Sequence, residues 1–259
     1  MHRRLLLLAS LLFALPIHAG QQSLQLFTEE YPPVSFSRNG VADGMATELV
    51  REILRRLGET ASIQVVPWAR GYQMVQRTPG TGLFATIRSA QREADFKWVG
   101  PIILAEDAYY SLKGAGLKID RQQQLHQLGP VAVPRDWFSY QELQAAGMPN
   151  LLGVKDPAQM FRMLRHGRVK LIVADNLSFY AKGDAAQLVD GLGPNDVEAV
   201  YLYRRSEGYI TFWPGTDDAL IQRWQAALDS MKTDGSFSRI YQRWLPGAEE
   251  PGLIPLPAQ

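Results

Sequence analysis

The chain has no cysteine in its 259 residues. Disulfides, thiolate metal sites and cysteine nucleophiles are excluded, so stability must come from burial. Histidine is scarce as well, with four in all. His126 and His166 sit in polar, helix-like contexts with no orienting partner in sight, so neither reads as a catalytic base or a metal ligand. No G-x-S-x-G, H-E-x-x-H or P-loop motif occurs. Charge of one sign is not in excess: 27 Lys and Arg against 26 Asp and Glu give a formal net charge of +1. That balance argues against nucleic acid or an anionic membrane surface as partner.

Long apolar runs are confined to the start, MHRRLLLLASLLFALPIHAG. Two arginines, an apolar stretch, Pro16 and the small Ala19 form the pattern of a secretory signal peptide over residues 1–19. The run is too short, and is ended too soon by Pro16 and His18, for a membrane span. Cleavage is expected after Ala19, and no cysteine follows to carry a lipid, so the exported protein is expected to be soluble. Its 240 residues would carry 25 basic and 26 acidic side chains. That length suffices for one large core or two smaller ones.

Short apolar runs then alternate with helical patterns. Leu24–Thr28 reads as a strand. Residues 44–57 read as a helix, with Met45, Leu49, Ile53 and Leu57 on one face, Asp43 as cap and Gly58 as stop. Ile63–Val66 is a strand, Trp68–Gln76 a helix or turn, and Gly82–Ala85 a strand. This β-α-β-α-β series signifies a mostly parallel sheet covered by helices. A second series follows the apolar Tyr109–Leu112: strand Val131–Val133, a helix capped by Ser139, strand Leu151–Val154, a helix opened by Asp156-Pro157, and strand Leu171–Ala174 ending at Asp175. Ala199–Tyr203 leads into Tyr209–Phe212. Two amphipathic helices close the chain, one on Leu220, Trp224, Leu228 and Met231, the other on Phe237, Ile240, Tyr241 and Trp244. The second unit is thus inserted in the first: residues 20–108 and 206–259 form one lobe, 109–205 the other.

The densest chemistry lies in IRSAQREADFKWVGP, Ile87–Pro101. Two guanidinium groups follow the buried strand GLFAT, a natural place to hold a small anion, because arginine presents a planar fork that matches a carboxylate and stays charged. The competing reading, surface arginines beside a core Phe96 and Trp98, is not settled by this stretch alone.

The arrangement resembles the bacterial periplasmic solute-binding proteins of ABC importers, the polar amino-acid-binding group called family 3. TEEYPPVSF followed by ADGMATELVREILRRLG is similar to the family's opening strand, aromatic-Pro turn and first helix. SAQRE falls at its Thr-Pro-Glu-Arg turn, GRVKLIVAD at its second-lobe strand ending in an acid, and MKTDGSFSRIYQRW at its closing helix pair. The resemblance implies an α/β, type II periplasmic-binding-protein-like fold, with two lobes of mostly parallel sheet flanked by helices and a cleft that closes on ligand. It implies that Arg92 takes a ligand α-carboxylate and Asp175 its ammonium, although Asp175 also suits a cap for NLSFYA. It places Tyr31 and Trp68 as aromatic walls, and Thr86 and Ser89 as hydroxyl donors. Arg88 either adds a second cationic contact or braces the cleft against an acid. Ala85 stands where a serine is common in the family, and Trp137 and Phe138 stand where Gly-Thr/Ser backbone donors are common. Trp137 and Phe138 could lip the cleft, and the Ala85 departure points away from an ordinary free amino acid toward a modified one, an opine-like compound, a short peptide or another zwitterion. Glu29 and Glu30, beside Tyr31, either read a cationic ligand or form a solvated pair, the second being the favoured reading.

The expected function is capture of a small zwitterion and delivery to a membrane permease, by a monomer needing no cofactor or metal. Two alternatives share the fold: an enzyme resembling periplasmic cyclohexadienyl dehydratases, with Asp175 or Glu207 as its acid, and a sensing module that reports to a separate membrane protein.

Overall fold

The computed structural model describes residues 24–181, 186–187 and 189–252. The expected signal peptide and its cleavage point lie outside the described residues. The chain opens with β1 (Leu24–Thr28), a short hairpin of β2 (Phe36–Arg38) and β3 (Val41–Asp43), α1 (Met45–Leu57), β4 (Ala61–Val65), α2 (Trp68–Arg77) and β5 (Thr81–Ile87). The 16-residue β6 (Lys97–Leu112) leads to β7 (Val131–Pro134), α3 (Phe138–Ala145), β8 (Leu151–Val154), α4 (Pro157–Arg165) and β9 (Leu171–Asp175). The equally long β10 (Val197–Phe212) returns the chain to α5 (Asp218–Thr233) and α6 (Ser236–Trp244).

Eight of these strands form one sheet in the order β4-β1-β5-β10-β6-β9-β7-β8, while β2 and β3 pair as a separate sheet. β1 runs parallel to β4 and β5, and β7 parallel to β8 and β9. The two parallel halves are joined by β6 and β10, which pair antiparallel with each other, with β9 and with β5. The fold is two-lobed α/β with helices flanking the sheet. One core gathers Leu49 and Ile53 of α1, Trp224, Leu228 and Met231 of α5, and Phe237 and Tyr241 of α6, so the C-terminal helices complete the half that the N-terminus begins. Separate clusters around Phe161 and Ile172, and around Tyr109 and Val173, fill the other half.

Several local expectations need correction. Asp43 does not cap α1. The cap position falls on Gly44, whose φ is 112° and whose added Cβ would come 2.7 Å from the Val34 carbonyl oxygen. The backbone of Pro33–Ser35 passes too close there for any side chain, and the Asp43 carboxylate instead accepts from the Gly44 N–H at 2.8 Å. Ser139 does not cap α3 either. Trp137 N–H donates to the Pro134 carbonyl at 3.1 Å, the turn closes earlier, and Trp137 takes the cap position with Ser139 buried in the first turn. Asp156-Pro157 does open α4, with the Gln159 N–H donating to the Asp156 carboxylate at 2.7 Å. The segments 109–112, 199–203 and 209–212 are not separate strands but parts of β6 and β10. The charged residues Glu106, Asp107, Arg204 and Arg205, which break the apolar pattern, lie inside these strands.

Candidate functional site

Glu29 follows the carboxyl end of β1, Arg92 the loop after β5, and Asp175 ends β9. Open α/β sheets hold their ligands beyond such strand ends. A cavity with about 540 Å³ of empty space, partly open to solvent, lies here. Glu29, Tyr31, Trp68 and Arg92 line it from the first half, Trp137, Phe138, Ser139 and Asp175 from the second, and Asp107 and Arg204 from the crossing strands.

Local hydrogen bonds fix the first wall. Tyr31 and Ser35 exchange backbone bonds at 2.7 and 2.9 Å around Pro32 and Pro33. The Ser35 hydroxyl accepts from Thr28 at 2.7 Å and donates to the Glu29 carbonyl at 3.0 Å, which ties the turn to the end of β1. Ala85 has φ 67°, and the β5–β10 register skips it, pairing Thr86 with Tyr209 and Phe84 with Ile210. The bulge turns this small, strained residue into the cavity wall.

Arg92 is 5% exposed. Its guanidinium lies 5.8 Å from the Trp68 ring, 5.2 Å from Tyr72 and 4.8 Å from Phe138, and reaches the Ile87 carbonyl and Gln141 at 3.4 and 3.5 Å. These are ring faces and long neutral contacts; no carboxylate pairs with it among the described residues. Burial pulls its basicity below the usual arginine value, and Arg204 acts in the same direction, but a guanidinium remains charged in water-accessible pH ranges.

Asp175 is also 5% exposed. Its carboxylate accepts from the Leu177 and Ser178 N–H groups at 2.9 and 3.1 Å, from the Ser178 hydroxyl at 3.1 Å, and from the Tyr31 hydroxyl. It therefore caps the 3-10 turn Asn176–Tyr180 while lining the cavity. Burial pushes it up to about 6, and Asp107, its cross-strand neighbour, adds to the push. Glu29 is pushed up to about 8, again by burial first, while the Trp137 indole N–H bonded to it and Arg92 oppose the rise. Arg204 is neutralised in place: it pairs with Asp107 at 2.6 Å and with Glu142, and lies 4.6 Å from the Phe138 ring.

Of the residues singled out from the sequence, Tyr31, Trp68, Arg92 and Asp175 come together on this cavity. Thr86, Arg88 and Ser89 do not line it. The Thr86 hydroxyl is fully buried against the Leu83 carbonyl and the Thr211 hydroxyl, at 3.5 and 3.4 Å. Arg88 makes a two-pronged ion pair with Glu93 at 2.5 and 2.8 Å and lies over the Trp98 and Tyr209 rings, away from the cavity. Ser89 is buried, its hydroxyl without a partner among the described residues. Glu29 and Glu30 part: Glu30 is exposed, accepting from the Ser37 N–H at 3.1 Å, whereas Glu29 is half-buried on the cavity wall. Glu207, the other acid weighed for catalysis, is buried against the Tyr209 hydroxyl and does not line the cavity. Asp107 and Arg204 also line the cavity, and charge inside LAEDAYY and LYRRSEG is the sequence signal that marks them. Among the described residues no cluster of three His, Asp or Glu side chains is arranged to hold a metal ion.

A two-lobed α/β protein with a charged, aromatic-walled cavity at its strand ends belongs to the class of solute-binding folds. The match to the bacterial extracellular solute-binding proteins, family 3, extends over residues 25–247, and the chain belongs to that family. No curated protein matches by sequence. Among solved structures, a histidine kinase sensor domain similar to periplasmic binding proteins aligns at 20% identity and TM-score 0.76, covering 89% of this chain and 98% of that one. A substrate-binding protein of an ABC uptake transporter from Streptococcus pneumoniae with bound histidine aligns at 14% identity and TM-score 0.75, covering 89% and 95%. The ancestral amino-acid-binding protein AncCDT-1, a precursor of cyclohexadienyl dehydratase, aligns at 21% and 0.72, covering 86% and 95%. At these identities the likeness carries the fold.

Proposed function

We propose that this chain is a periplasmic binding protein that traps a small zwitterion, an amino acid or a derivative, between its lobes and delivers it to an ABC permease. Arg92 takes the ligand carboxylate and Asp175 its ammonium, with Tyr31 and Trp68 covering the body between them. The observation that carries this reading is a buried guanidinium and a buried carboxylate lining one cavity with no ion pair between or upon them among the described residues. A desolvated charge is costly until it meets its opposite, and a zwitterion supplies both at once. The lobes are 20–108 with 206–259, and 109–205. The protein acts as a monomer, exported by a signal peptide cut after Ala19.

A thermal-shift screen of L-amino acids, opines and dipeptides tests this. The expected result is stabilisation by ligands bearing both an α-carboxylate and an α-amine, reduced for desamino analogues. Asp175→Asn should weaken α-amino ligands more than desamino ones, and equal losses would refute its role. The enzyme reading, which the raised pKa of Asp175 keeps in play as a proton donor, is tested by incubation with arogenate or prephenate. Turnover would replace binding as the primary activity.

A further inference from the structure

Arg92 opens the 3-10 turn Glu93–Asp95, which puts two acids close behind it in sequence. Its carbonyl accepts from the Asp95 N–H at 3.0 Å. Side chains three apart share one side of such a turn, and this is a spacing at which an arginine and an aspartate pair. In this loop they do not. The Asp95 carboxylate accepts instead from the Tyr72 hydroxyl at 3.1 Å and from the Gln76 amide at 3.0 Å, both on α2. The Tyr72 side chain spans the two charges: its hydroxyl end holds Asp95, while its ring lies 5.2 Å from the Arg92 guanidinium. Glu93 is diverted as well. Arg88 takes its carboxylate, and the Trp98 indole N–H donates to its carbonyl at 3.1 Å.

A buried guanidinium gains by pairing, and the acids of its own loop are the nearest partners. The donors on α2 prevent that gain. We propose that Tyr72, with Gln76, is a positioning residue that keeps Asp95 one ring away from Arg92, so that the guanidinium fork stays open to a ligand carboxylate. The inference rests on the assignment of Arg92 to that carboxylate, and goes beyond it by naming what keeps the arginine free. Tyr72, Gln76 and Asp95 do not line the cavity, so their effect passes through Arg92. Burial lowers the basicity of Arg92, and Asp95 acts against that from a distance. The acid thus supports the charge without occupying its hydrogen-bonding edge.

Tyr72 also packs against the cluster of Phe27, Trp68, Val75 and Phe96, so the test must separate positioning from packing. It reads Arg92 directly, with no ligand added, by NMR of protein labelled in its arginine side chains. The Arg92 signals are those lost in Arg92→Met. Tyr72→Ala should let Asp95 pair with Arg92, slowing the exchange of its guanidinium protons roughly tenfold. Glycine, the smallest α-amino acid, should then bind roughly tenfold more weakly by calorimetry. Adding Asp95→Asn should return both values to those of the parent, a rescue that a packing role would not give. Tyr72→Phe with Gln76→Leu keeps the ring, removes both donors from Asp95 and carries the same expectation if Tyr72→Ala does not fold. Unchanged Arg92 signals in a folded variant, a change that Asp95→Asn does not rescue, or loss of the fold in both variants would overturn the proposal. Arg92 signals that change and are rescued, in a protein whose parent does not bind glycine, would support the positioning role and count against the zwitterion reading alone.

Discussion

Replacing Arg92 with methionine removes the charge and keeps most of the stem. In the proposed complex the guanidinium makes two charge-assisted hydrogen bonds to a carboxylate in a site that is 5% exposed at this residue. Hydrogen bonds to charged groups contribute about 1.5–3 kcal/mol each, so losing both costs at least about 3 kcal/mol, or roughly 150-fold in Kd. A ligand at 100 times its Kd stabilises the unsubstituted protein by about 2.7 kcal/mol. At the same concentration the variant sits below its own Kd and gains about 0.3 kcal/mol. For a domain of this size that is a shift of roughly 5–11 °C against one of less than about 1 °C. The unliganded fold should hardly change. The lost ring contacts to Trp68, Tyr72 and Phe138 are worth about 0.5–1 kcal/mol each, and relief from burying an unpaired charge offsets them. The assay is thermal unfolding with and without the best ligand of the amino-acid screen. A variant that keeps the full ligand shift would refute the carboxylate role. A variant that unfolds far below the parent would refute the claim that Arg92 serves the ligand more than the fold.

Two further outcomes follow from the same structure. Glu29 and Asp175 hold protons to about 8 and about 6, above their unfolded values, so the native state binds more protons than the unfolded chain across that range. Unliganded stability should therefore fall as pH rises from 5 to 8, by on the order of 1 kcal/mol per unit. Glu29→Gln should flatten the upper part of the profile, and a Tm that stays level in the unsubstituted protein would reject both raised values. Gly44→Ala should lower Tm by at least about 5 °C, because φ 112° and a carbonyl oxygen 2.7 Å from the new Cβ together cost roughly 2–3 kcal/mol. An unchanged Tm would show that the Val34 backbone can move aside.

The parallel halves were legible because their strands are apolar runs and their helices keep a regular face. Leu24–Thr28, Leu151–Val154 and Asp156-Pro157 fall where the patterns put them. The crossing strands were not legible as wholes. β6 and β10 carry Glu106-Asp107 and Arg204-Arg205 in mid-strand, and a periodicity rule reads such charges as a break. Only pairing across the sheet shows that two of these charges, Asp107 and Arg204, reach the cavity. Within the site, Arg92 and Asp175 were recognisable by resemblance, whereas Glu29 and Glu30 were indistinguishable as neighbours. Their fates part because successive residues at a strand end face opposite sides. Thr86 fails to reach the cavity for a related reason: the bulge at Ala85 shifts the alternation by one, turning the Thr86 hydroxyl toward Thr211.

The contacts of Arg92 also say how ligand and closure are linked. Phe138 and Gln141, which hold its far side, belong to α3, whereas Arg92 itself follows β5. Phe138 is shared with Arg204, so one ring lies against two cations that repel each other across it. This contact brings α3 to the Arg92 loop. A ligand carboxylate would neutralise Arg92 and relieve its repulsion with Arg204, so it would interact more favourably with this arrangement than with any state that separates Arg92 from α3. A ligand shifts a conformational equilibrium only by such a difference in affinity between states. Under the proposed function, closure would therefore be driven by the anionic end of the ligand, through Arg92 and Phe138.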